Sequence, residues 1–325
     1  MLDRSKQMVI GLACFVGISF AALANSSGDE GVLNQVYRGI PHDALFDVCF
    51  DGDRGVAVGV AGSVLNSEDA GMTWAPEQPV TSYSLLGVSC RGKSTIVVGQ
   101  SGHIQVQTNG GDWQTVSSGT DNRLLSASAN SEGLAVIVGG FGAVLRSTDA
   151  GVTWQQLTID WEAILNDFLE PHIYDVTVFE DGTILLVGEF ELVMVSTDGG
   201  DTWQVNNKAD SELAGVHFRD RQNGYAVGQN GKVLKTTDGG QSWQNIEVPT
   251  RENLLDIWSS TDGEVITTGI RSLARSRDDG QTWEAITEDD VSIKWYQAVK
   301  GTSVGDGSSN NVVMVGHSGR IVQIK

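Results

Sequence analysis

SEDAGMTW (67–74), STDAGVTW (147–154), STDGGDTW (196–203), TTDGGQSW (236–243) and SRDDGQTW (276–283) are five copies of one pattern, Ser/Thr-x-Asp-x-Gly-x-x-Trp. A sixth copy, TNGGDW (108–113), is shorter and has lost its Asp. The tryptophans at 74, 113, 154, 203, 243 and 283 are 39, 41, 49, 40 and 40 residues apart. One unit is therefore about 40 residues, the length of a four-stranded propeller blade. Outward from each copy the order is constant. A strand such as LLDIWS opens the unit, and a second ends in Val-Gly or Thr-Gly. A tight turn leads to a third strand, then come the motif and a fourth strand after Trp. Short β-branched runs punctuated by Gly are the mark of all-β structure.

The mark that ends the second strand recurs at Gly59, Gly99, Gly139, Gly188, Gly228, Gly269 and Gly316, seven times against six motifs. The seventh unit, 295–325, stops after its third strand. The missing strand is expected from the other end of the chain. Asn34-Gln35-Val36-Tyr37 resembles the post-motif strands, with Asn34 in place of Trp. The prediction is a seven-bladed propeller of four-stranded antiparallel blades over 25–325, its last blade closed by a strand near 32–38. Closure removes the free sheet edges that invite aggregation.

Within the motif, Asp69, Asp149, Asp198, Asp238 and Asp278 are expected to accept bonds from the backbone of their own turn. Gly permits a left-handed backbone. Trp74, Trp154, Trp203, Trp243 and Trp283 are the apolar wedges, each worth roughly 4–6 kcal/mol at most when buried. Five equivalent Asp residues cannot all be one active site, so a structural role is expected for them.

Residues 1–24 read as a signal peptide: Arg4 and Lys6, an apolar stretch over 8–24, and Ala22-Leu23-Ala24 as a small-residue cleavage site. The stretch is short for a membrane span, an uncleaved anchor being the alternative, and Cys14 lacks a lipidation context. Export to a periplasm or lumen is expected, with no membrane insertion after cleavage. The formal net charge of −20 argues against nucleic acid and anionic membrane surfaces as partners. Cys49 and Cys90 lie in the first strands of neighbouring units, offset by one position. Alternation then points them to opposite faces, and two free thiols are expected.

These motif residues are those of the Asp-box, or bacterial neuraminidase repeat. The fuller unit is Val-Gly-x-x-Gly-x-Val/Ile followed by Ser/Thr-x-Asp-Gly-Gly-x-Thr/Ser-Trp, clearest over 224–243. With seven units and an exported start, it resembles the photosystem II stability/assembly factor propellers and their bacterial relatives. The resemblance covers essentially the whole mature chain. It implies a non-enzymatic factor that binds a membrane protein or a membrane-complex subunit on the lumenal or periplasmic side. Units 2 and 6 depart from the pattern, at TNGGDW and at Gly269-Ile270-Arg271-Ser272.

Strand alternation places every motif hairpin on one face of the disc. The opposite face carries the turns between second and third strands, with His103, Phe141, Glu189, Phe190, Glu191, Gln229, Lys232, Arg271, His317 and Arg320. The links between blades add Tyr83, Arg123, His172, Tyr174, Arg251 and Trp295 to that face. Positions that vary while their neighbours stay fixed escape the folding constraint, so this face is the expected partner surface. The nine-residue excess of the 154–203 spacing lies in TIDWEAILNDFLEPH (158–172). Trp161, Ile164, Leu165 and Phe168 sit there at helical spacing, with Asp160 as N-cap and Pro171 after the end. Either this stripe packs back on the propeller, or Trp161 and Phe168 grip a partner. A second insertion, 301–311, reads as a flexible loop on the motif face.

Glycoside hydrolysis is the rival reading, because the Asp-box also occurs in sialidases. Tyr37-Arg38-Gly39-Ile40-Pro41 is similar to the sialidase Tyr-Arg-Ile-Pro stretch but is interrupted by Gly. A sialidase has six blades, and no Glu pattern accompanies the tyrosines. Asp47, Asp175 and Asp256 recur in first strands and could line the channel, either as site residues or as polar lining. The five His residues lack metal-ligand spacing. No catalytic residue, metal or cofactor is expected, and the chain is expected to be a monomer.

Overall fold

A computed structural model describes residues 31–79, 81–303 and 310–325. The expected signal segment, 1–24, lies outside the described residues. Val32–Lys325 forms one compact unit of seven four-stranded antiparallel sheets. In chain order, blade 1 is Leu45–Asp51, Arg54–Gly59, Val64–Ser67 and Ala75–Pro76. The innermost strands of blades 2 to 6 are Leu85–Ser89, Leu124–Ala129, Ile173–Val178, Leu213–Phe218 and Leu254–Ser259. Blade 7 comprises Tyr296–Ser303, Asn310–Gly316 and Ile321–Ile324, completed outermost by Leu33–Tyr37.

Closure of the ring is specific in register. Leu33 pairs with Ile324 and Asn34 with Gln323. The Asn34 amide also donates to Gln323 Oε1 at 3.0 Å. Lys325 N–H reaches Val32 O at 2.8 Å, so the last residue of the chain is tied to the strand that closes its blade.

The core lies between blades. Middle strands bury both faces; Val56, Ala57 and Val58 are fully buried, as are Val136, Ile137 and Val138. Alternate residues face alternate neighbours. Ala57 and Leu65 join a cluster with Val313 and Ile321 of blade 7, whereas Val56 and Val58 join Leu85 and Val97 of blade 2. Each such Val, Leu or Ile side chain contributes roughly 1.5–3 kcal/mol.

This stacking corrects the reading of the cysteines. Cys49 and Cys90 are joined in a disulfide, with Cα atoms 5.6 Å apart. Being offset by one does put them on opposite faces of equivalent blades. Stacked blades, however, present opposite faces to each other. Cys49 pairs across its sheet with Val56, on the face toward blade 2. Cys90 shares with Val88 and Val97 the face toward blade 1.

The two insertions also differ from expectation. In 158–172 the helix (α1) spans only Trp161–Leu165. Asp160 caps it, accepting from Ala163 N at 3.0 Å. Asn166 ends it in the left-handed region (φ 55°), so Phe168 lies beyond the helix. Half of the second insertion is strand, Thr302 pairing with Asn311 and Gly301 with Val312; its centre, 304–309, lies outside the described residues.

Candidate binding surface

The motif hairpins are built alike. In blade 3, Ser147 Oγ donates to Asp149 Oδ1 at 2.7 Å and accepts Gly151 N–H at 2.9 Å. Asp149 Oδ1 accepts Thr153 N–H at 2.9 Å, and Oδ2 accepts its hydroxyl at 2.6 Å. Trp154 Nε1 donates to Gly151 O at 2.9 Å. Asp69, Asp198, Asp238 and Asp278 repeat the arrangement with Trp74, Trp203, Trp243 and Trp283. The hydrogen bond from the Thr282 hydroxyl leads the causes that lower Asp278 to about 2. Three of the carboxylate's four lone-pair directions are committed to its own turn, two on Oδ1 and one on Oδ2.

The opposite face is set by two backbone contacts. Turns between second and third strands donate to the link that follows in blades 2, 3, 4, 6 and 7, as in Gly102 N to Asn122 O (2.8 Å) and Gly142 N to Pro171 O (2.8 Å). The middle residue of these turns is left-handed in Ala61, Ser101, Phe141, Phe190, Asn230, Arg271 and Ser318. A Cβ on Gly102 would stand 1.8 Å from Thr120 O, which explains why Gly recurs there while the tip residue varies.

The candidate residues fall into four groups around this rim. Tyr83 and His103 meet with ring centroids 5.4 Å apart. Phe141 stands edge-on to His172 (5.0 Å), which neighbours Tyr174 (6.3 Å). His172 N–H bonds Glu189 Oε2 at 2.8 Å, and the Tyr174 hydroxyl lies 3.5 Å from Glu212. Arg271 pairs with Glu252 at 2.9 Å and Arg251 with Glu247 at 3.8 Å. Trp295 stacks on Phe46 and meets His317 edge-on. Gln229 is half-buried and Arg123 exposed.

Several of these side chains are interior. His317 (8% exposed) lies 3.0 Å from Asp290, which Arg320 also holds. Arg320 further pairs with Asp289, and the Tyr296 hydroxyl donates to Asp290 at 2.8 Å. This cluster fixes the link before blade 7. Glu191 is buried with Lys232 at 3.3 Å. Trp161 (7% exposed) lies under the Phe141 turn, its Nε1 3.3 Å from Gly142 O, whereas Phe168 is 87% exposed. Packing back therefore describes Trp161 and exposure describes Phe168: the stripe is split where the helix stops.

The axial channel holds a cavity of about 350 Å³ lined by Asp47, Asp175, Asp256, His217 and Lys300. A bulge lies near the start of each innermost strand, and in blades 1, 4 and 6 the residue after it is an Asp that reaches the next blade. Asp47 accepts Val48 N–H and, from blade 2, Val88 N–H, each at 2.8 Å. Asp175 reaches Val216 of blade 5 (2.9 Å) and Ser126 of blade 3 (2.6 Å). Asp256 reaches Val299 and Lys300 of blade 7 at 2.9 and 2.8 Å. The three carboxylates stitch neighbouring blades together. Tyr37 sits in the outermost strand and packs between blades 7 and 1, at the rim rather than in the channel. No group of three metal-ligating side chains occurs among the described residues.

Exposed apolar side chains are what sequence reasoning largely missed. Ten large ones are exposed among the described residues. Seven lie on the rim of turns and links: Ile40, Tyr83, Phe141, Phe168, Leu169, Ile270 and Ile293. Met72 and Val152 lie on the motif face, and Val205 on an outer strand. Apolar residues inside otherwise polar links were the legible signal.

The family model for the photosynthesis system II assembly factor YCF48 matches residues 34–160 and 156–324. A solved structure described as YCF48 bound to D1 peptide is 21% identical, with a TM-score of 0.71, covering 91% of this chain and 96% of its own. YCF48 from Cyanidioschyzon merolae is 21% identical, with a TM-score of 0.70 and coverage of 90% and 99%. The WD40 propeller domain of Doa1 is similar in fold, at 13% identity, a TM-score of 0.68 and coverage of 90% and 96%. None of the curated proteins matches the sequence. The chain belongs to the photosynthesis system II assembly factor YCF48 family.

Proposed function

We propose that this protein is an exported, non-enzymatic scaffold that binds a membrane-protein client through the face of turns and links, assisting assembly or stability of that client's complex. The observation that carries the reading is the segregation of exposed apolar side chains, seven of ten on that face. Apolar exposure concentrated on one side of a soluble fold marks an interaction surface. A relative described as bound to a D1 peptide supports a polypeptide client. The disulfide supports an oxidising compartment such as a periplasm or lumen. Catalysis has no support in the channel, where each carboxylate holds backbone amides. The closed ring supports action as a monomer.

Pull-down from detergent-solubilised membranes of the host tests this. The unaltered protein and a Met72→Ser/Val152→Ser control are expected to enrich an integral membrane protein. A Phe141→Ser/Ile293→Ser/Ile40→Ser variant with unchanged melting temperature is expected to lose it. Capture lost only in the control, or robust turnover of a glycoside, overturns the reading.

A further inference from the structure

The rim is not uniform, and the sector between blades 3 and 5 is apolar and acidic at once. Phe168 and Leu169, 87% and 50% exposed, are bracketed in sequence by the exposed Asp167 and Glu170. Pro171 follows, and its carbonyl is fixed to Gly142 N at 2.8 Å. The exposed pair is thus two to three residues from the Phe141 turn, within about 11 Å by chain length. Phe141, 60% exposed, caps the His172 ring, and Tyr174 continues the row toward the exposed Glu212. Burial, then Glu212 and Glu189, push the Tyr174 hydroxyl well above the usual range. The turn below, Glu189–Glu191, is the only acidic one of its kind among the described turns. Of the nearby cations, Lys232 is taken by Glu191 and Lys208 is bonded to Ile164 O, while Arg123, whose carbonyl accepts Gly140 N–H, is exposed at the blade 2 side of the Phe141 turn.

We propose that this sector docks a cationic amphipathic segment of the client, its apolar side chains on Phe141, Phe168 and Leu169 and its Lys or Arg groups against Asp167, Glu170 and Glu212. The proposal rests on the function read above and names the chemistry of what is bound. Charge complementarity selects the occupant: an acidic or neutral segment would bury these carboxylates unpaired, whereas a cation also gains the faces of the exposed aromatic rings. The aromatic and aliphatic contacts supply affinity and the carboxylates supply attraction and choice.

Calorimetric titration of the full chain with a short synthetic peptide alternating Lys and Leu tests this, beside the same peptide with Glu for Lys. The Lys peptide is expected to bind and the Glu peptide not. Phe168→Ser/Leu169→Ser is expected to weaken binding about tenfold. Asp167→Asn/Glu170→Gln/Glu212→Gln is expected to weaken it severalfold and flatten its salt dependence, while Met72→Ser changes nothing. Equal binding of the Glu peptide, or affinity unchanged in both rim variants, overturns the proposal. So does a dimer in sedimentation that the Phe168→Ser/Leu169→Ser variant abolishes, since a second copy then covers the sector. Rim variants that still capture the membrane client refute only this sector; face variants that still capture it refute the functional reading itself.

Discussion

Ser147 shows what one residue of the repeat does. Its side chain is buried, and it is both acceptor for Gly151 N–H and donor to Asp149. In Ser147→Ala the Gly151 amide is left buried without a partner, and Asp149 loses one of its donors. An unsatisfied buried donor costs about 1–3 kcal/mol, so urea midpoints are expected to report a loss in that range. Asp149→Asn is expected to cost less, because that side chain is exposed to water and can exchange its bonds. Equal losses in the two variants would place the stability of the hairpin in the Asp instead. The sequence pattern names these residues fully, because every bond is local to eight positions. Arg320 is different: its partners Asp289 and Asp290 lie some thirty residues away in a link, and nothing local in the chain announces them.

Among elements, the blade-to-blade contact is where sequence reading reaches its limit. Strand order, the second-strand Gly marks and the N-terminal closing strand are legible because each obeys a period along the chain. Facing residues of neighbouring blades obey no such period, so the parity rule that works inside one sheet misplaced the cysteines. The Cys49–Cys90 bond closes a loop of sequence separation 41. Loop-closure entropy for that length corresponds to about 4 kcal/mol as an upper figure. The Cys49→Ala/Cys90→Ala variant is expected to unfold about 2–4 kcal/mol more easily in urea, and added reductant is expected to leave that variant unaffected while lowering the native protein to the same midpoint. A native midpoint that reductant does not move, with two more free thiols titrating in the unfolded chain before reduction than in the Cys49→Ala/Cys90→Ala variant, would show that the bond does not form. The helix α1 carries the same lesson in the other direction: its start was legible in Asp160, but its early end is set by Asn166, a single left-handed residue.

At the scale of the whole ring, the axial channel joins all seven blades, and its titratable groups pull stability in opposite directions. Burial lowers His217 to about 3 from 6.5. Its stabilising contribution is complete above the unfolded value and is lost as pH falls toward 3. Burial raises Asp47 from 3.8 to about 7, against the attraction of Lys300. That contribution is complete below 3.8 and is lost as pH rises through 7. Between about pH 4 and 6.5 the two slopes oppose, each at most about 1.4 kcal/mol per pH unit. Burial raises Asp175 as well, giving a slope of the same sign as that of Asp47, while Lys300, held protonated against its burial by Asp256, Asp47 and Asp175, adds none in that window. The motif carboxylates, lowered to about 2 at Asp278, add a loss only below the ordinary Asp range. His217 Nδ1 accepts Ser259 N–H at 3.1 Å, a bond that an Asn carbonyl can keep. In His217→Asn the first slope is removed and the Asp47 slope remains. The variant is therefore expected to lose stability from pH 4 to 7 more steeply than the native ring does. Urea midpoints at successive pH values measure this; parallel curves for the two proteins would mean that the imidazole reaches water in the folded channel and that burial does not govern its charge.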